Sequence, residues 1–261
     1  MCPPLVTMAV AAAVAASVSA GALAQDAREV LAPKGRLRVG VYPGSPLSMV
    51  KDGRTGEIHG LSLDLGKELA KRLDVAFEQI NYQRIADVLA GMKAGDVDFT
   101  VSNATPARAA DVTFSQTLLS LELGYLVPAA SPIATIADVG RPGIRIGVIQ
   151  GSTSQGTIPN QLPNATVVAA QNVRRATEML EHGELDVFAT NKPTLFEMSD
   201  QMPGARVLDG RWGVEHVAIA IPKGREAALE YLHRFVEEAQ TGGLLSQAAE
   251  RAGLRGILKT P

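Results

Sequence analysis

Apolar and polar residues follow two different periods along the first half of the chain. Apolar residues at every second position are typical of strands, and apolar residues three or four apart are typical of helices that pack on one face. Leu61, Leu65, Leu69 and Leu73 show the helical period most clearly. The predicted elements are strands at 36–41, 76–80 and 97–101, helices at 61–74 and 85–95, and a hairpin at 48–60 that turns at Asp52-Gly53.

The same succession of elements restarts after residue 140. The predicted elements are strands at 144–150, 165–170 and 185–190 and a helix at 173–183 that Asn172 caps. Strands that alternate with helices imply a parallel sheet with crossover connections. We therefore expect an α/β fold of two lobes, each a mostly parallel sheet flanked by helices.

Two extended segments, 124–132 and 218–224, are expected to join the lobes, and an amphipathic helix at 225–243 is expected to return to the first lobe. The predicted division is 35–120 with 221–261 for lobe 1, and 121–220 for lobe 2. Two crossings make a hinge, and ligands favour the cleft between domains. The sequence therefore predicts a ligand site between the lobes.

The first 24 residues contain no charged side chain. They are small and apolar, and they end in Ala22-Leu23-Ala24, which fits the small-x-small rule for signal-peptide cleavage. We expect residues 1–24 to be a secretory signal peptide and the mature protein to be periplasmic. A membrane anchor helix is the alternative.

Composition argues against several kinds of partner and site. The formal net charge of −2 gives no basis for a nucleic-acid partner. The single cysteine, Cys2, lies in the predicted signal peptide, so the mature chain would have no thiol for a disulfide, a nucleophile or a metal. The four histidines do not show ligand spacing. We expect no cofactor, no metal, and a monomer.

A first polar cluster, "SNATPAR" at 102–108, follows the strand at 97–101. Arg108 can donate a pair of hydrogen bonds to a carboxylate, and Asn103 and Thr105 lie next to it in sequence. The alternative is that Thr105 caps a helix with Pro106 at its first position and that Arg108 is solvated.

A second polar cluster, "GSTSQGT" at 151–157, directly follows the strand at 144–150. Gly151 allows the backbone to approach a ligand, and Ser152 and Thr153 stand at a helix N-terminus that favours anions. An ordinary helix cap is the alternative. It is not a phosphate loop, because no Gly-Lys-Ser/Thr follows. With one cluster in each lobe, a carboxylate would be held from both sides when the cleft closes.

The ordered segments "GRLRVGV", "GLSLDLGKELAKRL", "GDVDFTVSNATPARAADVTFS", "IRIGVIQGSTSQ", "GELDVFATN" and "IAIPKG" resemble the family 3 periplasmic solute-binding proteins of ABC transporters, from about Gly35 to Gly253. The resemblance implies venus-flytrap closure on an amino acid or related compound and delivery to a membrane permease. It also implies that Arg108, with Thr105, binds the ligand carboxylate, and that Gly151, Ser152 and Thr153 complete that site.

One position departs from the family pattern. Where the family usually has an aspartate for the α-ammonium of the ligand, this chain has Asn191, which also fits a helix cap. An unpaired ammonium in a closed cleft would be costly. Either the ligand lacks a free amine, or another carboxylate, Glu215 or Glu122, replaces the aspartate; a hinge salt bridge is the alternative role for each.

Two aromatic residues, Tyr42 and Trp212, could contribute to the ligand site, and one enzymatic activity is an alternative to ligand binding. Tyr42 follows the first strand and could stack on the ligand, whereas Trp212 is expected to pack. Cyclohexadienyl dehydratases share the fold that the resemblance implies, and they need a carboxylic acid in the cleft to protonate a leaving hydroxyl. The segment "GSTSQ" offers Gln155 instead of an acid, so we expect a binding protein rather than an enzyme.

Overall fold

The structure, a computed structural model, describes residues 24–53 and 55–258. Except for Ala24, the expected signal peptide lies outside the described residues, and so does Cys2. The helices are α1 (residues 24–31), α2 (Leu61–Arg72), α3 (Ile85–Lys93), α4 (Pro106–Ala109), α5 (Ile136–Val139), α6 (Thr153–Gln161), α7 (Val173–Glu181), α8 (Lys192–Gln201), α9 (Leu229–Thr241) and α10 (Leu244–Arg251). The strands are β1 (Arg36–Val41), β2 (Val50–Lys51), β3 (Ile58–His59), β4 (Ala76–Asn81), β5 (Thr100–Asn103), β6 (Val112–Val127), β7 (Arg145–Ile149), β8 (Thr166–Ala170), β9 (Val187–Asn191), β10 (Arg206–Val207), β11 (Gly213–Pro222) and β12 (Ile257–Leu258).

The leucine stripe of α2 explains why this segment is a helix that packs on β1. The four leucines spaced four apart are all buried. Gly66 on the same helix lies against β1, because an added Cβ there would come within 2.7 Å of a Val39 methyl group. The stripe and this close approach fix α2 on the sheet.

The fold is α/β with two lobes and mixed sheets. In the first lobe β1 pairs with β4 in parallel, and in the second lobe β7 pairs in parallel with both β8 and β9. The two long strands β6 and β11 run antiparallel to one another between the lobes. The outer strands β5 and β9 pair with β11 and β6 respectively, so the long strands connect both halves of the structure.

Separate hydrophobic cores lie on either side of these long strands. One core contains Leu37, Phe99 and Phe235, from β1, the segment before β5, and α9. Two others contain Phe188 and Tyr125, from β9 and the far end of β6. The C-terminal helices therefore return to the first lobe, as the amphipathic pattern predicts.

Several element boundaries differ from the sequence prediction. β5 starts at Thr100, so Ser102 and Asn103 belong to the strand instead of following it. The predicted crossings at 124–132 and 218–224 overlap the ends of longer strands. Residues 124–127 are the end of β6, which pairs with β9 there, and residues 218–222 are the end of β11, which pairs with β5 and β6. The predicted helix at 225–243 is a short 3-10 turn followed by α9. The predicted hairpin exists, but Lys51 and Ile58 bound a longer loop than a turn at Asp52-Gly53.

One arginine–aspartate arrangement occurs once in each lobe. Arg38 Nε and Nη2 donate to Asp98 at 2.8 and 2.7 Å, and Arg145 Nε and Nη2 donate to Asp186 at 3.0 and 2.7 Å. Each aspartate also accepts from the backbone N–H of its arginine. Five residues after each aspartate comes an asparagine, Asn103 or Asn191, at the end of β5 or β9. The repeated ion pair thus presents equivalent strand ends to the cleft.

Candidate ligand-binding site

A cavity of about 50 Å³ lies between the lobes. The wall residues are Tyr42, Ser45, Leu47, Gln83, Arg84, Ile85, Val101, Ser102, Asn103, Arg108, Ile149, Ser152, Thr153, Ser154, Asn172, Val173, Thr190, Asn191, Thr194 and Glu215. Strand ends and helix starts from both lobes supply most of these residues. As the lobes stand, the cavity has about a third of the volume of an engineered cavity of roughly 150 Å³ that binds benzene.

Arg108 enters this cavity from α4, and the sequence explains its position. Thr105 caps α4 and accepts from the Arg108 backbone N–H at 3.2 Å, and Pro106 occupies the first helical turn. Arg108 Nη1 donates to Ser102 Oγ at 2.9 Å and approaches the Asn103 carbonyl at 3.4 Å. Among the described residues no hydrogen bond is made by Nε or Nη2, so those donors are available to a carboxylate.

Asn103 links the Arg108 side of the cavity to the opposite lobe. Its Nδ2 donates to Thr153 Oγ1 at 3.1 Å, from β5 to the first residue of α6. Ser152 caps α6 by accepting from the Gln155 backbone N–H at 3.3 Å, and Ser152 also lines the cavity. The two polar clusters found in the sequence therefore meet across the cleft.

Among the residues that the structure describes, Glu215 is the only acidic one in the cavity wall. It lies on β11 with 6% of its surface exposed, and its Oε2 accepts from Asn191 Nδ2 at 3.2 Å. Asn191 in turn caps α8, because its Oδ1 accepts from the Thr194 backbone N–H at 3.2 Å. Asn191 thus has both of the roles that the sequence allows, helix cap and cleft residue. Its side chain is also hydrogen-bonded to an acidic group, the Glu215 carboxyl.

Burial and opposite charge act against each other at the two ionised groups of the cavity. Burial raises the pKa of the Glu215 carboxyl above its ordinary value, although the Arg108 guanidinium and hydrogen bonds from Asn191 and Asn103 lower it. Burial likewise lowers the pKa of the half-buried Arg108 guanidinium, and the Glu215 carboxylate opposes that shift. No ion pair within 4.0 Å joins the two groups among the described residues. They therefore line one cavity, close enough to influence each other, without a direct ion pair.

Tyr42 lies in the same wall, at the end of β1. Burial raises the pKa of its hydroxyl, which hydrogen-bonds to Ser45, and Arg108 and Glu215 lie close enough to influence it. Ser45 Oγ is also 3.2 Å from Thr194 Oγ1, a contact that crosses from the first lobe to α8.

Two predicted site residues, Thr105 and Gly151, do not line the cavity. Thr105 acts through its cap on α4, as described above. Gly151 has a φ of 75°, and its N–H donates to Gln155 Oε1 at 2.7 Å. It forms the turn before α6 and does not line the cavity itself.

Glu122 and Trp212 lie outside the cavity wall. Glu122 forms salt bridges with Lys192 and Arg211, and the hydrogen bond from Lys192 is the main reason that the pKa of the Glu122 carboxyl is lowered. Trp212 Nε1 donates to the Gly124 carbonyl at 2.8 Å, and its ring packs 6.0 Å from Tyr125. Glu122 is thus a salt bridge near the hinge, and Trp212 has a packing role.

Outside the two polar clusters, sequence reasoning missed six polar residues of the described cavity wall, namely Ser45, Gln83, Arg84, Asn172, Thr190 and Thr194. The repeated segments contain a signal for two of them. "LRVGVYPGS" at 37–45 matches "IRIGVIQGS" at 144–152, and "DFTVSN" at 98–103 matches "DVFATN" at 186–191. The first match pairs Ser45 with Ser152, and the second pairs Thr190 with Ser102.

Comparison with known proteins places this architecture in a family. Residues 37–253 match the model of the bacterial extracellular solute-binding proteins, family 3. The chain belongs to this family.

Relatives of this family 3 protein include named transport proteins and a solved structure. It is 23% identical over 84% of its length to the ABC transporter glutamine-binding protein GlnH of Bacillus subtilis, covering 81% of that protein. It is 30% identical over 77% of its length to the lysine/arginine/ornithine-binding periplasmic protein of Escherichia coli, covering 81% of it. A Streptococcus pneumoniae amino acid ABC transporter substrate-binding protein, solved with L-arginine, superposes with a TM-score of 0.77 at 20% identity, over 90% of this chain and 99% of that one.

Two further findings concern the described part of this family 3 protein. No helix in residues 24–53 or 55–258 is long and apolar enough to cross a membrane. The same residues contain no cluster of three or more His, Cys, Asp or Glu side chains that could hold a metal ion.

Proposed function

We propose that this solute-binding protein captures a free α-amino acid in the cleft between its lobes and delivers it to an ABC permease. The observation that carries the proposal is the pair of charged groups in one small cavity, Arg108 and Glu215, which do not neutralise each other by direct contact. A zwitterion has the complementary pair of charges. The names of the relatives, which bind glutamine or basic amino acids, support the same class of ligand.

The ligand carboxylate would bind at the Arg108 end. Arg108 supplies a planar, permanently charged donor, and Ser102 Oγ accepts a hydrogen bond from its Nη1. Thr153 and the N-terminus of α6, capped by Ser152, approach from the second lobe. Donors from both lobes would then bind one anion, which makes ligand binding and lobe closure a single event.

The ligand ammonium would bind at the Glu215 end. A buried carboxylate with a raised pKa gains a partner when a cation enters, so binding offsets the cost of burying the charge. Asn191, where the family usually has an acid, would accept no positive charge itself but would orient the Glu215 carboxylate through their hydrogen bond. Glu215 thus replaces the missing aspartate from a neighbouring strand.

The proposal includes the division of the chain and its location. Lobe 1 comprises residues 35–120 and 221–261, lobe 2 comprises residues 121–220, and residues 1–24 export a monomer to the periplasm. Core membership supports this division for β1 and α9, but Val217 and Ile219 pack with the first-lobe core. We therefore propose that the second hinge point lies close to Glu215 on β11.

A thermal-shift screen of the mature protein tests this function. Ligands that bind only the folded state raise the unfolding midpoint. The screen compares α-amino acids with their N-acetyl derivatives, the matching keto acids and dicarboxylates. We expect stabilisation by at least one free amino acid and none by its N-acetyl or keto counterpart. Stabilisation only by carboxylates without an amine would contradict the role of Glu215.

One observation favours a second candidate, a cleft enzyme such as a cyclohexadienyl dehydratase. Glu215 is a buried carboxyl with a raised pKa, which is the property a general acid needs. Gln155 hydrogen-bonds to Gly151 and does not line the cavity, so Glu215 is the one candidate acid in the wall. Incubation with prephenate distinguishes the two functions. The binding proposal predicts no phenylpyruvate above the rate of an E215Q control, and Glu215-dependent product would favour the enzyme.

A further inference from the structure

The charges of the cavity wall are unequal in number. The wall contains two arginines, Arg84 and Arg108, and one acid, Glu215. If Arg108 holds the ligand carboxylate and Glu215 holds the ligand ammonium, both ends of the amino-acid backbone are matched. The remaining charged residue, Arg84, then faces the part of the cavity that the ligand side chain would occupy.

Arg84 is held in place by contacts on both sides of the cleft. Its Nε donates to Asp87 Oδ1 at 3.1 Å, one turn along α3, and its Nη1 donates to Gln150 Oε1 at 2.9 Å in the second lobe. Asp87 neutralises part of this charge but does not line the cavity. The guanidinium therefore remains a fixed cation at the cavity wall when the lobes are together.

The neighbours of Arg84 in the wall supply no carboxylate for a cationic side chain. Gln83 and Asn172 are polar and uncharged, and Ile85 and Val173 are apolar. A lysine or arginine side chain here would lie near Arg84, and the one acid of the described cavity wall, Glu215, is already used by the ligand ammonium. Like charges that lie close together repel each other, so this position disfavours a cationic side chain.

We infer that this protein selects α-amino acids whose side chains carry no positive charge, and that Arg84 is the residue that excludes cationic side chains. This inference rests on the proposed function, since it presumes that Arg108 and Glu215 bind the amino-acid backbone. It does not follow from the family, which contains relatives named for basic amino acids.

Titration calorimetry with the twenty common amino acids tests the selectivity. We expect lysine and arginine to bind roughly 100-fold more weakly than the best amino acid without a positive side chain, because their charge would lie beside Arg84 without a carboxylate partner. Lysine or arginine binding as tightly as that ligand would overturn the inference and leave the proposed function intact. Binding of none of the twenty, with binding of carboxylates that lack an amine, would overturn both.

Two pairs of variants identify the responsible residue, with the ratio of lysine affinity to neutral-ligand affinity as the readout. Arg84→Gln should raise this ratio about 10-fold and Arg84→Lys, which keeps the charge, should leave it unchanged. Asn172→Asp adds a carboxylate to the wall and keeps the cap on α7, because the same side-chain oxygen accepts from the Arg175 N–H at 2.9 Å. It should also raise the ratio, whereas Asn164→Asp, at an exposed position, should not. An unchanged ratio in Arg84→Gln would overturn the assignment to Arg84, whatever the result for Asn172→Asp.

Discussion

At the scale of single residues, we propose that Glu215 takes the role that the family pattern assigns to the position of Asn191. The acid lies on β11, and the amide at the end of β9 caps α8 and donates to that acid. The strand β11, which carries Glu215, pairs with β5 on one side and β6 on the other, and Glu215 is buried. The cavity wall therefore contains a buried carboxyl group that a ligand ammonium would pair with.

The buried carboxyl predicts how stability depends on pH. Its pKa is raised above the ordinary value, about 4.3, so folding favours the protonated form. The contribution of Glu215 to stability is therefore fully present below pH ~4.3 and is lost as the pH rises through the raised pKa. Urea unfolding between pH 4 and 8 should show wild type losing stability relative to Glu215→Gln as the pH rises. Parallel curves for the two proteins would contradict a buried, ionising Glu215.

At the scale of elements, the turns after β1 and β7 fit against the opposite lobe in the same way. Gly44 and Gly151 precede Ser45 and Ser152, and both have positive φ angles of 83° and 75°. A Cβ at Gly44 would come within 3.0 Å of Val173 on α7, and a Cβ at Gly151 within 2.5 Å of Ala86 on α3. Each glycine thus lets its turn approach a helix of the other lobe.

Gly151→Ala should therefore weaken ligand binding by obstructing closure. Gly143→Ala is the matched control, because Gly143 also has a positive φ, 86°, but its added methyl would meet no atom within 4 Å. Both variants should lose about 1–2 kcal/mol of unfolding free energy, the cost of a left-handed residue with a side chain. Calorimetry should show an affinity loss of at least about 10-fold, or 1.4 kcal/mol, for Gly151→Ala alone. Equal affinities in the two variants would contradict a steric role in closure.

Local periodicity was sufficient to predict several of the regular elements. β1, α2 and α7 lie where the alternation and the leucine stripe place them, and Asn172 caps α7 as predicted. The long pairing of β6 with β11 was not predictable in this way. Its register depends on residues about 100 positions apart, such as Thr113 and Ile221, and neighbouring residues do not encode it.

Local sequence patterns likewise predict only some of the residues of the site. Arg108 and Ser152 were predictable, because a cap, a proline and a strand end mark their positions. The position of Arg84 was not predictable, because an arginine at the start of a helix is usually solvated. Its place in the cleft depends on the contact with Gln150 of the second lobe, which is distant in sequence. Glu215 could be proposed as a ligand-binding residue only because Asn191 cannot neutralise the ammonium of an amino acid.

At the scale of the whole molecule, the two lobes are linked across the cleft by side chains that also line it. Asn103 contacts Thr153, Arg84 contacts Gln150, and Ser45 contacts Thr194. These contacts surround the cavity, so a ligand that bridges Arg108 and Glu215 would add to interactions that already favour the closed arrangement. Each repeated Arg–Asp pair lies within one lobe, and we expect closure to bend β6 and β11, the strands that connect the lobes.

We propose that the carboxylate of Glu215, which is hydrogen-bonded to Asn191, binds the amine of an amino acid. The most direct test is the calorimetric affinity of the best amino acid for wild type, Glu215→Gln and Asn191→Asp/Glu215→Gln. We predict a loss of about 10- to 100-fold in Glu215→Gln, because hydrogen bonds to charged groups contribute about 1.5–3 kcal/mol. The double variant, which moves the acid to the position usual in the family, should recover most of this affinity. Unchanged binding in Glu215→Gln would contradict the claim.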